Sequence, residues 1–112
     1  MKPRHLRSTL AALALALVGS VWATGVGMSN TWLDLSMTKA KCIQQATAAI
    51  KKAGFTSNFD AANESVYADQ DAYTVLVRCV ADKKVVYLVV AGPDSDLADK
   101  YLTSVEKAFD GK

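Results

Sequence analysis

Two strand-forming runs separated by four residues constrain the fold of this chain more than any other feature. The runs Tyr73–Val80 and Val85–Ala91 are rich in β-branched and aromatic residues, and Ala81–Lys84 lies between them as a turn. A β-hairpin is therefore predicted here. Because side chains alternate between the two faces of a strand, pairing Val80 with Val85 assigns every residue of the hairpin to one face or the other.

Both faces of this predicted hairpin are apolar. The first face carries Val75, Val77, Cys79, Val86, Leu88 and Val90. The second carries Thr74, Leu76, Arg78, Val80, Val85, Tyr87 and Val89. A sheet that is covered on one side only ordinarily shows polar residues on the other side. Either a helix of the chain covers the second face, or that face is an interaction surface, since exposed apolar patches of this size tend to mark one.

A helix is predicted on each side of the hairpin in the sequence. Thr38–Ala53 shows apolar residues at helical spacing, and Gly54 follows at a position typical of a helix end. After the strand-breaking pair Gly92-Pro93, a second helix with one apolar stripe extends to about Phe109.

The two cysteines, Cys42 in the first helix and Cys79 in the hairpin, are predicted to form a disulfide. An even pair in a small exported domain is typical of a structural bridge. Closing a loop of 37 residues stabilises a fold by roughly 4 kcal/mol on the chain-entropy model. A redox-active pair is the alternative, but such pairs usually have the spacing Cys-x-x-Cys. Because Cys79 must meet Cys42, the first helix is expected to cover the first face.

These elements predict an α+β fold: an antiparallel sheet of three to four strands, with two helices packed on one face as a two-layer sandwich and one disulfide. The additional strands would come from Ser65–Ala68 and from a weak candidate within residues 24–37, a segment that is either a flexible leader or a short edge strand. Residues 55–63 are expected to be irregular. Residues 38–112 are then one α+β domain.

The first 23 residues have the three parts of a secretory signal peptide. A basic start containing Lys2, Arg4 and Arg7 precedes the apolar run Leu10–Val18, and small residues end the segment at Ala23. The protein is therefore expected to be exported to the periplasm or the extracellular space. The apolar run is shorter than the about 20 residues that span a bilayer, so no stable membrane insertion is expected after cleavage.

Removal of this segment changes the chemistry available to the chain. Three of the 13 basic residues leave with it, so 10 face 11 acidic residues, which provides no basic surface for nucleic acid. The single histidine, His5, leaves as well, and with it the usual partner of a serine or cysteine nucleophile and a common zinc ligand. No catalytic residue, metal site or cofactor is predicted.

Several of these segments together resemble a known group of proteins. Gly54-Phe55, the strand from Tyr73 to Cys79, and the run from Val89 to Pro93 before a last helix are similar to small exported proteobacterial α+β domains of unassigned function. The resemblance covers about residues 39–109. It implies a fold and an exported location, and it implies no chemistry.

The leading functional hypothesis is a non-enzymatic binding module that uses the second face of the hairpin. Arg78 lies directly across from Tyr87 in the predicted register, and both residue types are enriched in binding hot spots. The candidate binding residues are Arg78, Tyr87, Leu76, Val89, Val80 and Val85. The partner would be another protein or a second copy in a homodimer, and the simplest alternative is an ordinary cross-strand contact.

Two other functions remain open from the sequence. A small envelope hydrolase could use a carboxylate pair such as Asp69 and Asp71, which needs neither histidine nor cysteine. A purely structural role in the cell envelope is the other alternative.

Overall fold

The predicted hairpin forms the centre of a five-stranded antiparallel sheet in the computed structural model, which describes residues 25–111. In chain order the elements are β1 (Gly27–Asp34), α1 (Lys39–Lys52), β2 (Ser57–Ala62), β3 (Ser65–Gln70), β4 (Tyr73–Val80), a 3-10 turn (Ala81–Lys83), β5 (Val85–Gly92) and α2 (Ser95–Phe109). The strand order across the sheet is β1-β5-β4-β3-β2. The predicted signal peptide, residues 1–23, lies outside the described residues.

The prediction of three to four strands is wrong, because the sheet has a fifth strand, β2, which the sequence pattern does not indicate. The edge strand that was one alternative for residues 24–37 is present as β1. β1 pairs with β5 along its whole length without a register shift. β2 occupies residues 57–62, which were expected to be irregular, and pairs with β3. Its pairing shifts register between Ser57 and Asp60, and Asn58 has a positive φ of 51°. This bulge interrupts the alternation by which a strand is recognised in a sequence.

Both helices pack on the same face of the sheet. α1 lies over β3 and β4, while α2 lies over β1 and β5 and also packs against α1. One continuous core results, and its sheet side consists of the residues predicted for the first face together with two from β3. These fully buried side chains are Val66, Ala68, Val75, Val77, Cys79, Val86, Leu88 and Val90.

The disulfide between Cys42 and Cys79 joins α1 to β4 through this core. The Cα atoms of the two residues are 6.1 Å apart, and both side chains are fully buried. The predicted pairing and the placement of α1 over the first face are therefore confirmed.

The side chain of Tyr73 contacts both the end of β5 and the start of α2. The ring of Tyr73 lies against the backbone of Gly92, so a methyl group at that position would overlap the ring. The hydroxyl of Tyr73 accepts a hydrogen bond of 3.0 Å from the backbone N–H of Asp94, the residue that caps α2. Glycine is needed at this position because of space, and the contact directs the chain back over the core side of the sheet.

Candidate functional site

The face of the sheet opposite the helices has no covering element among residues 25–111, and we refer to it as the outer face. Its side chains alternate with the buried ones along four strands. They are Met28, Asn30, Trp32 and Asp34 of β1; Val85, Tyr87, Val89 and Ala91 of β5; Thr74, Leu76, Arg78 and Val80 of β4; and Ser65, Tyr67 and Asp69 of β3. All six predicted binding residues therefore lie together on the outer face.

An aromatic pair lies where β1 meets β5 on the outer face. The rings of Trp32 and Tyr87 are 4.5 Å apart between centroids and tilted by 40°. Trp32 is 59% exposed. Met28, which precedes Trp32 by four residues on the same face of β1, is also 59% exposed. Large apolar side chains that are grouped on one exposed surface tend to mark an interaction site.

The four aliphatic residues of the predicted site lie beside this pair and are partly exposed. Val89 faces Leu76 across β5 and β4, and Val80 faces Val85 at the end of the hairpin. Their burial comes from neighbours in the sheet, because both helices are on the other side. The predicted hairpin register is confirmed, with Arg78 directly opposite Tyr87.

Arg78 and Tyr87 lie directly opposite each other, but each has another side-chain partner. The guanidinium of Arg78 donates a hydrogen bond of 2.9 Å to the carboxylate of Glu64, in the β2–β3 turn. Tyr87 instead stacks on Trp32. The sequence pattern of the hairpin gives Arg78 one neighbour, Tyr87. In the structure the β2–β3 turn supplies Glu64 as the partner of Arg78, and β1 supplies Trp32 as the partner of Tyr87.

Polar side chains form the border of the outer face on β2 and β3. The hydroxyl of Tyr67 donates a 2.6 Å hydrogen bond to Asp60, which raises the pKa of the tyrosine above its ordinary value. Asp69 accepts hydrogen bonds from the Thr74 hydroxyl at 2.6 Å and the Asn58 amide at 2.9 Å. Both bonds stabilise the charged carboxylate, first that from Thr74 and then that from Asn58, and they lower its pKa.

The two carboxylates of the alternative hydrolase hypothesis have different environments. Asp69 lies at the end of β3 on the outer face, and its lowered pKa keeps it ionised at neutral pH, which suits a hydrogen-bond acceptor and not a general acid. Asp71 lies in the following turn, exposed, with a positive φ of 53°. Within residues 25–111, no cluster of three or more His, Cys, Asp or Glu side chains is arranged to hold a metal ion.

Trp32 and Met28, the large apolar side chains of the outer face with the greatest exposure, were not among the predicted binding residues. On β1 the large apolar side chains point outward, and the inward positions are Gly27, Ser29 and Thr31 next to Leu33. This is the reverse of the pattern that indicates a half-buried strand. The signal that was available is the presence of Met and Trp at alternate positions in a segment that otherwise contains small and polar residues.

Comparison with known proteins does not indicate a function for the outer face. No protein family matches the chain, and no curated protein is similar enough to indicate a relative. The resemblance to small exported proteobacterial domains therefore stays a prediction. In the part of the chain that the structure describes, no helix is long and apolar enough to cross a membrane.

Proposed function

We propose that this protein is a non-enzymatic binding module whose outer face docks a protein partner. The observation that carries the proposal is the two-sided apolar sheet: both helices cover one face, and the other presents Trp32, Tyr87 and Met28 with no element of residues 25–111 over them. A small fold gains little by keeping such side chains on its surface unless another molecule buries them.

The composition of the outer face resembles that of a protein-binding surface. Aromatic residues, Met and Arg are enriched in the buried centre of protein interfaces, and a polar border surrounds such centres. Here Trp32, Tyr87 and Met28 provide the apolar anchors, while the pairs Arg78–Glu64 and Tyr67–Asp60 provide directed polar groups beside them. The face is preorganised, because paired strands of the sheet hold all of these side chains except Glu64, which lies in the β2–β3 turn.

The charges of the outer face favour a protein over a nucleic acid. Its acidic residues are Asp34 and Asp69, with Asp60 at its border on β2, whereas the cation Arg78 is already paired with Glu64. A surface that binds phosphates needs unpaired Lys and Arg side chains along its length. The distribution seen here would repel a polyanion.

An exported location supports a partner in the cell envelope or outside the cell. The buried Cys42–Cys79 disulfide and the absence of a membrane-spanning helix among the described residues fit an exported protein. We propose that residues 1–23 direct this export and that the mature domain acts in the periplasm or the extracellular space.

Site-specific photo-crosslinking in the producing cell tests the proposal. A photoreactive phenylalanine analogue is placed at Trp32 or Tyr87 on the outer face, and at the exposed Gln44 of α1 as the matched control on the helix layer. We expect a discrete crosslinked product from both outer-face positions and none from Gln44. The product's mass then gives the partner's size.

Crosslinking with equal yield from Gln44 and the outer face would show non-specific encounters and contradict the proposal. Absence of any product from both outer-face positions, with the protein folded and present at normal amounts, would also contradict it. Either result would mean that the outer face does not bind a specific partner.

A further inference from the structure

Among residues 25–111 no strand pairs with the outer edge of β1, and the backbone groups that point to this edge can be identified. The N–H of Leu35 donates to the carbonyl of Lys84 at 2.9 Å, in the same register as the β1–β5 pairing. In antiparallel strands both backbone groups of a residue point to the same side, and successive residues alternate. The odd-numbered residues of β1 therefore bond to β5, and the N–H and C=O of Met28, Asn30, Trp32 and Asp34 point away from the sheet.

The two edges of the sheet differ in how well they could accept another strand. β2 has a register shift, a positive φ at Asn58 and the carboxylate of Asp60, all features that discourage pairing. β1 is regular over eight residues, has neither proline nor lysine, and has one charge, Asp34, at its end. Natural proteins usually protect an edge of this kind.

The exposed apolar surface is concentrated at the same edge. Val26, Met28 and Trp32 are 70%, 59% and 59% exposed, whereas Val89 and Leu76, at the middle of the outer face, are largely covered by their neighbours. Whatever buries the apolar side chains must therefore reach β1 itself. A strand added to this edge would do so.

We propose that the partner at this edge is a second copy of the chain, joined by antiparallel pairing of β1 with β1 into one ten-stranded sheet. The inference deepens the proposed function and rests on it, because it names the occupant of the β1 side of the outer face. The two-fold axis passes through Asn30, so each Asn30 pairs with its counterpart and each Met28 lies opposite Trp32 of the second copy. Met28 and Trp32 then cover each other on a continuous outer face.

The positions of the apolar side chains select this register and favour a second copy. With the axis at Asn30, Asp34 lies opposite Val26 of the second copy, and no two like charges face each other. Moving the axis to Thr31 would place Asp34 opposite Met28 and separate Met28 from Trp32. The apolar side chains of β1 thus complement those of an identical strand without help from another sequence.

The helix layer accommodates the same arrangement. α2 packs on β1 and β5 to a similar extent, so its axis lies over the gap between them. With neighbouring strands about 4.8 Å apart, the two α2 helices would lie roughly two strand spacings, or about 10 Å, from each other. Packed helices in proteins are about 8–10 Å apart. A separation of this size is compatible with contact between the two α2 helices as well as between the two β1 strands.

Sedimentation velocity of the purified protein over a 1000-fold concentration range tests the inference. The wild type is expected to shift from monomer to dimer. Asn30→Pro removes the outward N–H at the centre of the proposed pairing without removing a bond to β5. We expect this variant to remain monomeric at all concentrations and the matched variant Asn30→Ala, which keeps the N–H, to dimerise like the wild type.

Residue-resolved hydrogen exchange of the wild type gives a second readout that does not depend on the folding of a proline variant. The amides of Met28, Asn30 and Trp32 should exchange rapidly in the monomer and at least tenfold more slowly at concentrations that favour the dimer. The amides of Ser29 and Thr31, which bond to β5, should be protected at every concentration.

The outcomes separate this inference from the proposed function. A monomer at every concentration, or a dimer in which Met28, Asn30 and Trp32 stay unprotected, overturns the β1 pairing. If photo-crosslinking at Tyr87 then yields a different protein, such as one that adds its own extended segment at the edge, the binding function stands with another occupant. If crosslinking fails as well, both are overturned.

Discussion

At the scale of single residues, the arrangement of side chains on the outer face depends on which partner each polar or aromatic group contacts. Tyr87 has Trp32 on one side and Arg78 on the other, and it stacks on the tryptophan. Arg78 then pairs with Glu64, at 55% and 41% side-chain exposure, so the ion pair contributes little to stability. These contacts orient side chains toward solvent on a rigid sheet, which is a property of a prepared binding surface.

Replacing Trp32 by alanine tests how much the aromatic pair contributes to the fold itself. Because Trp32 is 59% exposed, we expect Trp32→Ala to lower the free energy of unfolding by about 1 kcal/mol, within the range for exposed aromatic pairs. Trp32→Phe, which keeps a ring against Tyr87, should lose less than half of that. Urea denaturation followed by circular dichroism measures both. A loss above about 3 kcal/mol would mean that Trp32 is part of the core.

The hydrogen bonds to Asp69 make a prediction about pH. Its pKa is lowered in the fold, so its contribution to stability is fully present above the pKa of the unfolded chain and is lost as the pH falls through the lower pKa of the folded protein. Thr74→Val removes the first of the two donors. We expect the Asp69 pKa, measured by NMR titration, to rise toward its ordinary value of 3.8, and the acid dependence of stability to become shallower.

Thr103→Val is the matched control for this change, since the Thr103 hydroxyl donates to the backbone carbonyl of Asp99 in α2 and not to a carboxylate. It should leave the Asp69 titration unchanged. An Asp69 pKa that is the same in Thr74→Val and in the wild type would contradict the account of this hydrogen bond.

At the scale of elements, the disulfide ties α1 to the sheet and so determines which face becomes core. Removing it with Cys42→Ala/Cys79→Ala should lower the free energy of unfolding by roughly 4 kcal/mol, as expected for a closed loop with a sequence separation of 37 residues. Urea denaturation of the variant and the oxidised wild type measures the difference. A loss below about 1 kcal/mol would mean that packing alone holds α1 in place.

How far the sequence predicts the elements depends on whether burial follows a simple period. β4 and β5 alternate cleanly against the helices, and their register follows from the pairing of Val80 with Val85. β2 lies at the edge of the sheet, all of its residues are exposed, and its bulge at Asn58 disturbs the alternation. Its side chains meet no core, so no hydrophobic period could reveal it.

The candidate site could also be predicted only in part from the sequence. The hairpin pattern identified the outer-face residues of β4 and β5, since parity assigns them without knowledge of other strands. The position of β1 beside β5 depends on long-range pairing, and its inward residues are small because α2 approaches closely there: Gly27 lies against the backbone of Ser95. For this reason the contribution of Trp32 could not be deduced from the hairpin alone.

At the scale of the whole molecule, one sheet has two apolar faces and one layer of helices. The faces differ in what they do: the inner face holds the fold together, and the outer face is proposed to hold a partner. Adjacent residues of β5 sample the two environments, because Val90 is fully buried under the helices and Val89 is partly exposed on the outer face. In this proposal, folding and binding depend on opposite faces of the same sheet.

The most direct measurement is the free energy of unfolding of Val89→Lys compared with Val90→Lys, at concentrations where the wild type is monomeric. We predict a loss of about 1 kcal/mol for Val89→Lys, because its ammonium group can remain in water. Val90→Lys should lose more than about 4 kcal/mol or fail to fold, because it buries an unpaired charge in the core. Equal, severe losses for both variants would show that the outer face is ordinary core and would contradict the account.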